Sequence, residues 1–137
     1  MWGNEFASLT MTTRQSCRIA ELRALRAHPT WEEFREAQQA IRVLFQKADA
    51  KKMRICQVYD LREMGMLTPA MIQEWIQLFE ELRSITERIV VCTVLVFDAP
   101  AIREALNVFL TNYKRARPVH VCASMDEAHS KCVEESQ

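Results

Sequence analysis

Residues 89–97 read Ile-Val-Val-Cys-Thr-Val-Leu-Val-Phe, and the fold class follows from them. The apolar side chains succeed one another without the alternation that a half-exposed strand shows, so both faces of this strand are expected to be buried. A central parallel strand with helices packed on both sides of the sheet meets this requirement. The stretch therefore predicts an α/β domain with a mainly parallel sheet and crossover helices.

Two further segments resemble this strand. Residues 53–59 carry Ile, Val and Tyr after a polar stretch and end at Asp60, which predicts a second buried strand. Residues 119–123 predict a short last strand after Pro118.

Helix-start signals precede or separate these strands. Thr30 and Glu33 have capping-box spacing, which predicts a helix beginning at Trp31. Thr68 and Pro69 supply an N-cap and a first-turn proline for a second helix.

The same kind of signal predicts two later helices. Asp98 caps a third helix that has Pro100 in its first turn and runs to Arg115. Ser124 and Glu127 repeat the capping-box spacing before a fourth. The predicted order is therefore helix-strand-helix-strand-helix-strand-helix, and the helical crossovers make the strands parallel.

The N-terminal segment, residues 1–28, lacks such clear signals. A surface helix over residues 14–28, or a tail, is the preferred interpretation, and a displaced strand pair or an organelle transit peptide are the alternatives. We therefore divide the chain into an N-terminal extension or divergent first strands, 1–28, and a single α/β domain, 29–137.

Composition narrows the class of protein. The chain has 137 residues, 49% hydrophobic and 26% charged, which fits one ordered domain and excludes a multidomain enzyme. The charges of eighteen basic and eighteen acidic residues cancel, so the chain has no net positive charge that would attract nucleic acid.

Five cysteines, an odd number, indicate a reducing compartment, and we expect a cytoplasmic protein. No apolar run approaches the length of a bilayer span, so a membrane-spanning protein is not expected.

Asp60, Thr68, Asp98 and Ser124 are predicted at the carboxyl ends of the strands, where open α/β sheets bind their ligands. Helix capping and strand ending also explain these residues. The sequence contains neither a Ser-His-Asp set nor a glycine-rich phosphate loop, so no enzyme activity and no cofactor are expected.

Two weaker patterns involve cysteine. Cys56 and Arg62 have the Cys-x5-Arg spacing of cysteine phosphatases, but no glycine lies between them to let backbone amides converge on a phosphate. Four metal-capable side chains also fall within thirteen residues, although their spacing matches no standard zinc module and no metal is expected. They are His120, Cys122, His129 and Cys132.

From Thr30 onward the chain resembles the STAS domain, the fold of bacterial anti-sigma-factor antagonists and of sulfate-transporter cytoplasmic tails. Residues 58–68, Val-Tyr-Asp-Leu-Arg-Glu-Met-Gly-Met-Leu-Thr, are similar to the family's strand ending in Asp-Leu, its hydrophobic loop and its hydroxyl-bearing helix start. Residues 117–119 and 124–128 are similar to its final strand and closing helix. In phospho-switched members an Asp-Ser-Ser/Thr-Gly stretch opens the second helix. Thr68-Pro69-Ala70-Met71 replaces it here, so Thr68 is the candidate phosphorylation site.

The resemblance implies a non-enzymatic domain that binds a protein partner in regulation or signalling. We expect the contact around residues 64–75 and 98–103. The alternative is a small-ligand or lipid-binding domain with an apolar pocket between the sheet and the helices. The candidate partner- or ligand-binding residues are Asp60, Met64, Met66, Thr68, Met71, Asp98 and Arg103.

Overall fold

The computed structural model describes residues 1–101, 104, 106, 110, 111 and 116–137. Its centre is a six-stranded sheet in which the strands lie side by side in chain order. The strands are β1 (Trp2–Gly3), β2 (Ala7–Arg14), β3 (Cys17–Ala24), β4 (Ile55–Asp60), β5 (Val90–Val96) and β6 (Val119–Cys122). The helices with defined bounds are α1 (Trp31–Ala50), α2 (Pro69–Glu81), α3 (Arg83–Ile89) and α4 (Met125–Glu135).

Strands β3, β4, β5 and β6 pair in parallel, which confirms the predicted architecture. Every residue of β4 is buried, as are five of the seven residues of β5. Residues 100, 101, 104, 106, 110 and 111 are helical. The rest of the helix predicted from Pro100 to Arg115 lies outside the described residues.

The N-terminal segment corrects the preferred sequence interpretation. No helix forms over residues 14–28; β2 and β3 make an antiparallel hairpin that brings Arg14 opposite Cys17. The two turn residues, Gln15 and Ser16, have φ of 48° and 69°, as both central residues of a type I′ turn require. Asn and Gly usually occupy such turns, so Gln-Ser carried no turn signal. The strand-pair alternative holds, and this segment belongs to the sheet.

The helix starts predicted at Thr30, Thr68 and Ser124 are confirmed. Thr30 Oγ1 accepts from the Glu33 amide at 3.1 Å, and Glu33 Oε1 accepts from the Thr30 amide at 2.9 Å, which completes the capping box. Thr68 Oγ1 accepts from Met71 N at 3.2 Å. Ser124 caps α4 in the same way.

The apolar pattern of the sequence did not indicate that the helix after Pro69 is interrupted. The helix that begins at Pro69 ends at Glu81, and the short helix α3 follows after Leu82, whose φ and ψ are −90° and 3°. The backbone amide and the side-chain hydroxyl of Thr86 both donate to Leu82 O, at 2.8 and 2.9 Å. Thus two helices, α2 and α3, bridge β4 and β5.

The sheet separates two apolar cores. The larger core lies between the sheet and α1–α3 and includes Ile41, Phe45 and Phe79. The smaller core lies between β3–β5 and α4 and includes Ile19 and Val94, together with several cysteines. Side chains that alternate along β4 therefore enter different cores.

Candidate functional site

Asp60 is a predicted site residue whose side chain is buried and hydrogen-bonded in the structure. Its side chain is only 4% exposed at the carboxyl end of β4. Arg62 donates to its two carboxylate oxygens at 2.9 and 2.8 Å, and Arg23 Nε donates at 3.1 Å. Burial alone would raise the pKa of Asp60, but these hydrogen bonds outweigh it and lower the pKa. Asp60 is thus a buried carboxylate held by two arginines.

The remaining candidate residues have different environments. Met66, Thr68 and Asp98 are exposed, Met64 is half-buried and Met71 is buried. Arg103 lies outside the described residues. The exposed members therefore follow the carboxyl ends of β4 and β5, whereas Met71 packs into the interior.

The structure does not assemble the phosphatase pattern. Cys56 is fully buried within β4 and packs in the smaller core, whereas Arg62 lies beyond the strand end and pairs with Asp60. The two residues therefore do not share an anion site.

The four-residue metal pattern is not assembled either. His120 Nε2 lies 3.1 Å from Glu135 Oε1, and His129 is paired with Glu21. Cys132 instead points into the smaller core, where its sulfur lies within 4.8 Å of the sulfurs of Cys56 and Cys92. The sequence pattern grouped residues that do not meet in the structure, because it considered only neighbours along the chain.

A cavity of about 140 Å³ lies in the larger core. This volume is close to the roughly 150 Å³ of an apolar protein cavity that accepts benzene. Residues from the hairpin, α1, α2, β4 and β5 line it, and nearly all of the side chains are apolar. An apolar pocket between the sheet and the helices, as in the ligand-binding alternative, is therefore present.

Aromatic rings form one wall of this cavity. Trp75 lies 5.6 Å from Phe34, 6.0 Å from Tyr59 and 5.8 Å from Phe79, measured between ring centroids. All four rings line the cavity. These edge-to-face and tilted ring contacts make this wall of the cavity apolar.

The loop after β4 covers the cavity. Residues 64–67 line it, and Met66 is 55% exposed, so this side chain faces both the cavity and solvent. Gly65 N donates to Ala27 O at 2.8 Å, which fastens the loop to the segment after β3. A Cβ at position 65 would lie 3.3 Å from that same oxygen, so glycine permits the close approach.

Two hydrogen-bond donors line this apolar space. Gln57, 3% exposed, accepts from Tyr59 Oη at 2.5 Å through Oε1, while its Nε2 has no partner among the described residues. Arg117 Nη2 donates to Glu87 O at 2.5 Å, and Arg117 Nε has no partner within the same part of the chain. Both residues line the cavity. A buried donor without an acceptor is costly, so these atoms suit an acceptor on a bound molecule.

Comparison with solved structures relates this geometry to a known fold. A protein from Shewanella loihica PV-4, described as an uncharacterised member of the DUF3478 family with a SpoIIAA-like fold, matches with a TM-score of 0.67 over 96% of this chain and 98% of that chain. The chain has a SpoIIAA-like fold. The sequences are 13% identical, so the likeness concerns the fold. No family model and no curated protein matches the chain in sequence.

The SpoIIAA-like fold confirms the STAS-like architecture that the sequence predicted. Among the described residues, no helix is both long enough and apolar enough to cross a membrane.

Sequence reasoning missed the donors of the cavity. Gln57 is the polar residue inside an otherwise apolar strand, which was the available signal. Arg117 appeared only in the segment that resembles the final strand of the STAS domain. The sequence does not indicate that either residue faces a cavity, because the cavity depends on how the helices pack on the sheet.

Proposed function

We propose that this SpoIIAA-like domain binds a small apolar molecule that carries a hydrogen-bond acceptor, such as a carboxylate. The observation that supports this function is an apolar cavity lined by the partnerless amide nitrogen of Gln57. Ligand sites commonly combine an apolar wall with a few oriented polar groups. A carboxylate would accept from Gln57 Nε2 and, where its position allows, from Arg117.

Binding rather than catalysis is part of this proposal. The charged side chains near the strand ends are already engaged, since Asp60 is held by Arg62 and Arg23. His120 and His129 each lie beside a glutamate. All five cysteines are free, which supports our expectation of a reducing compartment such as the cytoplasm.

Octanoate and octylammonium are suitable probes because they have the same number of carbon atoms but differ in the polar head. Octanoate is expected to bind and change the fluorescence of Trp75, while octylammonium, which has no acceptor, binds at least tenfold more weakly. A Trp75→Phe variant identifies the responding ring. Equal affinities for the two probes would contradict acceptor recognition.

The variant that tests the amide donor is Gln57→Leu. It is expected to weaken octanoate binding about tenfold, because a hydrogen bond to a charged group contributes about 1.5 kcal/mol or more. Gln38→Leu is the matched control, since Gln38 is also buried but does not line the cavity. Native mass spectrometry of the full-length protein checks for a co-purified molecule. If neither probe binds and the mass equals that of the bare chain, the ligand-binding proposal fails.

A protein partner is the second candidate function. The exposed side chains of Met66, Thr68 and Asp98 at the carboxyl edge of the sheet support it. Capture of a partner by the wild type but not by a Met66→Ser, Thr68→Ala double variant is the expected result. Undiminished capture of every partner by the variant would contradict this surface.

A further inference from the structure

Four of the five cysteines meet in the smaller core, on the sheet face opposite the cavity. Cys17, Cys56 and Cys92 come from the neighbouring strands β3, β4 and β5, and Cys132 comes from α4. The Cys56 sulfur lies 3.5 Å from that of Cys17 and 3.9 Å from that of Cys92. The sulfurs of Cys56, Cys92 and Cys132 all lie within 4.8 Å of one another. Four separate elements thus direct thiols to one place.

These separations are those of thiolates around one metal ion. With zinc–sulfur bonds of about 2.3 Å, sulfurs lie about 3.8 Å apart in a tetrahedral site and about 4.0 Å apart in a trigonal one. The Cys56 and Cys92 sulfurs already lie 3.9 Å apart, and both lie within 4.8 Å of the Cys132 sulfur, so the three need only small side-chain movements to surround an ion. A disulfide would join two of the sulfurs at about 2.05 Å and leave the others unused.

The charge of the cluster selects the kind of ion. Apolar residues such as Ile19, Val58 and Val94 surround the sulfurs, so excess negative charge is costly there. Three thiolates around a divalent ion carry a net charge of about −1, whereas a monovalent ion would leave about −2. A divalent ion is therefore favoured over copper(I).

A hydroxyl lies beside two of the sulfurs. Ser136 Oγ lies 3.4 Å from the Cys56 sulfur and 3.1 Å from that of Cys17. On binding, each thiol that becomes a ligand would release its proton to solvent.

We propose that Cys56, Cys92 and Cys132 bind one thiophilic divalent metal ion, with zinc as the biological ion. The Cys17 sulfur lies 3.5 Å from that of Cys56 but does not belong to the group of three, so Cys17 is a neighbour of the site and not a ligand. The ion would tie the C-terminal helix α4 to strands β4 and β5, and the site is separate from the cavity proposed above. Its role is structural, because all three cysteines have no solvent exposure and a substrate could not reach the ion.

Metal content of the untagged full-length protein, purified without oxygen from zinc-supplemented cells, tests this site. About one zinc per chain is expected by elemental mass spectrometry. Cobalt(II) added to the metal-free protein is expected to give the intense absorption bands of a cobalt–thiolate complex. Removal of the metal is expected to lower the Tm by about 5–10 °C.

Variants distinguish this site from adventitious binding. Cys92→Ala and Cys132→Ala are expected to lose the zinc and the cobalt spectrum, with circular dichroism verifying that they remain folded. Cys122→Ser is the matched control: Cys122 is half-buried against the same core but is not one of the converging sulfurs. It should keep about one zinc, and chelation should still lower its Tm.

Three results would overturn the proposal. The first is a folded wild type that contains no zinc and gives no cobalt spectrum. The second is equal zinc content in wild type and Cys132→Ala. The third is a metal-free protein that loses two hydrogens by mass under mild peroxide and takes up no cobalt(II) after reduction, which would make the cluster a disulfide-forming pair.

Discussion

The Asp60 carboxylate gives the sharpest test of the carboxyl edge of the sheet. Asp60→Asn keeps the shape of the side chain but removes the charge that Arg62 and Arg23 contact at 2.8–3.1 Å. Hydrogen bonds to charged groups contribute about 1.5–3 kcal/mol each. The side chains of Arg23 and Arg62 are 56% and 34% exposed, so water can replace part of the lost interaction. We expect a loss of about 2–3 kcal/mol in the free energy of unfolding at pH 7.

This loss corresponds to a fall in Tm of roughly 7–10 °C for a domain of this size. Its pH dependence has a definite sign. Because the pKa of Asp60 is lowered in the folded protein, the stabilisation is complete above the unfolded-state pKa of about 3.9. It disappears as the pH falls through the lower folded-state pKa. The gap between wild type and Asp60→Asn should therefore close in acid.

Urea unfolding of both proteins between pH 7 and pH 2 measures this gap. Asp98→Asn is the control, since Asp98 is exposed at the same edge, and we expect it to change stability by less than 1 kcal/mol. If Asp60→Asn were as stable as wild type at pH 7, or if the gap stayed constant in acid, the assignment of a stabilising buried carboxylate would be refuted.

Three other predictions concern local structure. Thr68→Ala removes the N-cap of α2 and should lower the free energy of unfolding by about 1 kcal/mol in urea titrations; an unchanged midpoint would contradict the cap. Replacing Gln15 with Asn and Ser16 with Gly should raise stability by about 1 kcal/mol, because both positions have positive φ; a less stable double variant would contradict the type I′ turn. Iodoacetamide should modify half-buried Cys122 first in the native protein, whereas Cys92 reacts only after unfolding; peptide mass mapping that finds the reverse order would contradict the burial.

Much of the fold was predictable because its signals are local. The uninterrupted apolar run at residues 89–97 and the N-caps at Thr30, Thr68 and Ser124 each depend on a few consecutive residues. A strand pair in the N-terminal segment was only an alternative interpretation, since the Gln15-Ser16 turn has positive φ without asparagine or glycine. In this segment, the pairing of β3 with β4 stabilises the hairpin although the two turn residues are unfavourable for such a turn.

The candidate sites were only partly predictable. Asp60 was placed at the strand end from sequence, but its partner Arg23 lies 37 residues earlier, in a segment predicted as a helix. The cysteines were individually recognised as buried thiols, yet the hairpin had to be known before Cys17 could join Cys56. Hydrophobic periodicity in the sequence gives no information about contacts between residues so far apart along the chain.

The sequence by itself determined the α/β class, the parallel strands from their helical crossovers, and the helix starts, because hydrophobic periodicity and capping act over a few neighbouring residues. Only the tertiary structure decided which side chains meet. Packing α1–α3 on one face of the sheet placed Gln57 in an apolar cavity, and packing α4 on the other face brought Cys132 over the cysteines of the strands. Both outcomes depend on how whole elements stack in space, where residues far apart in the chain become neighbours.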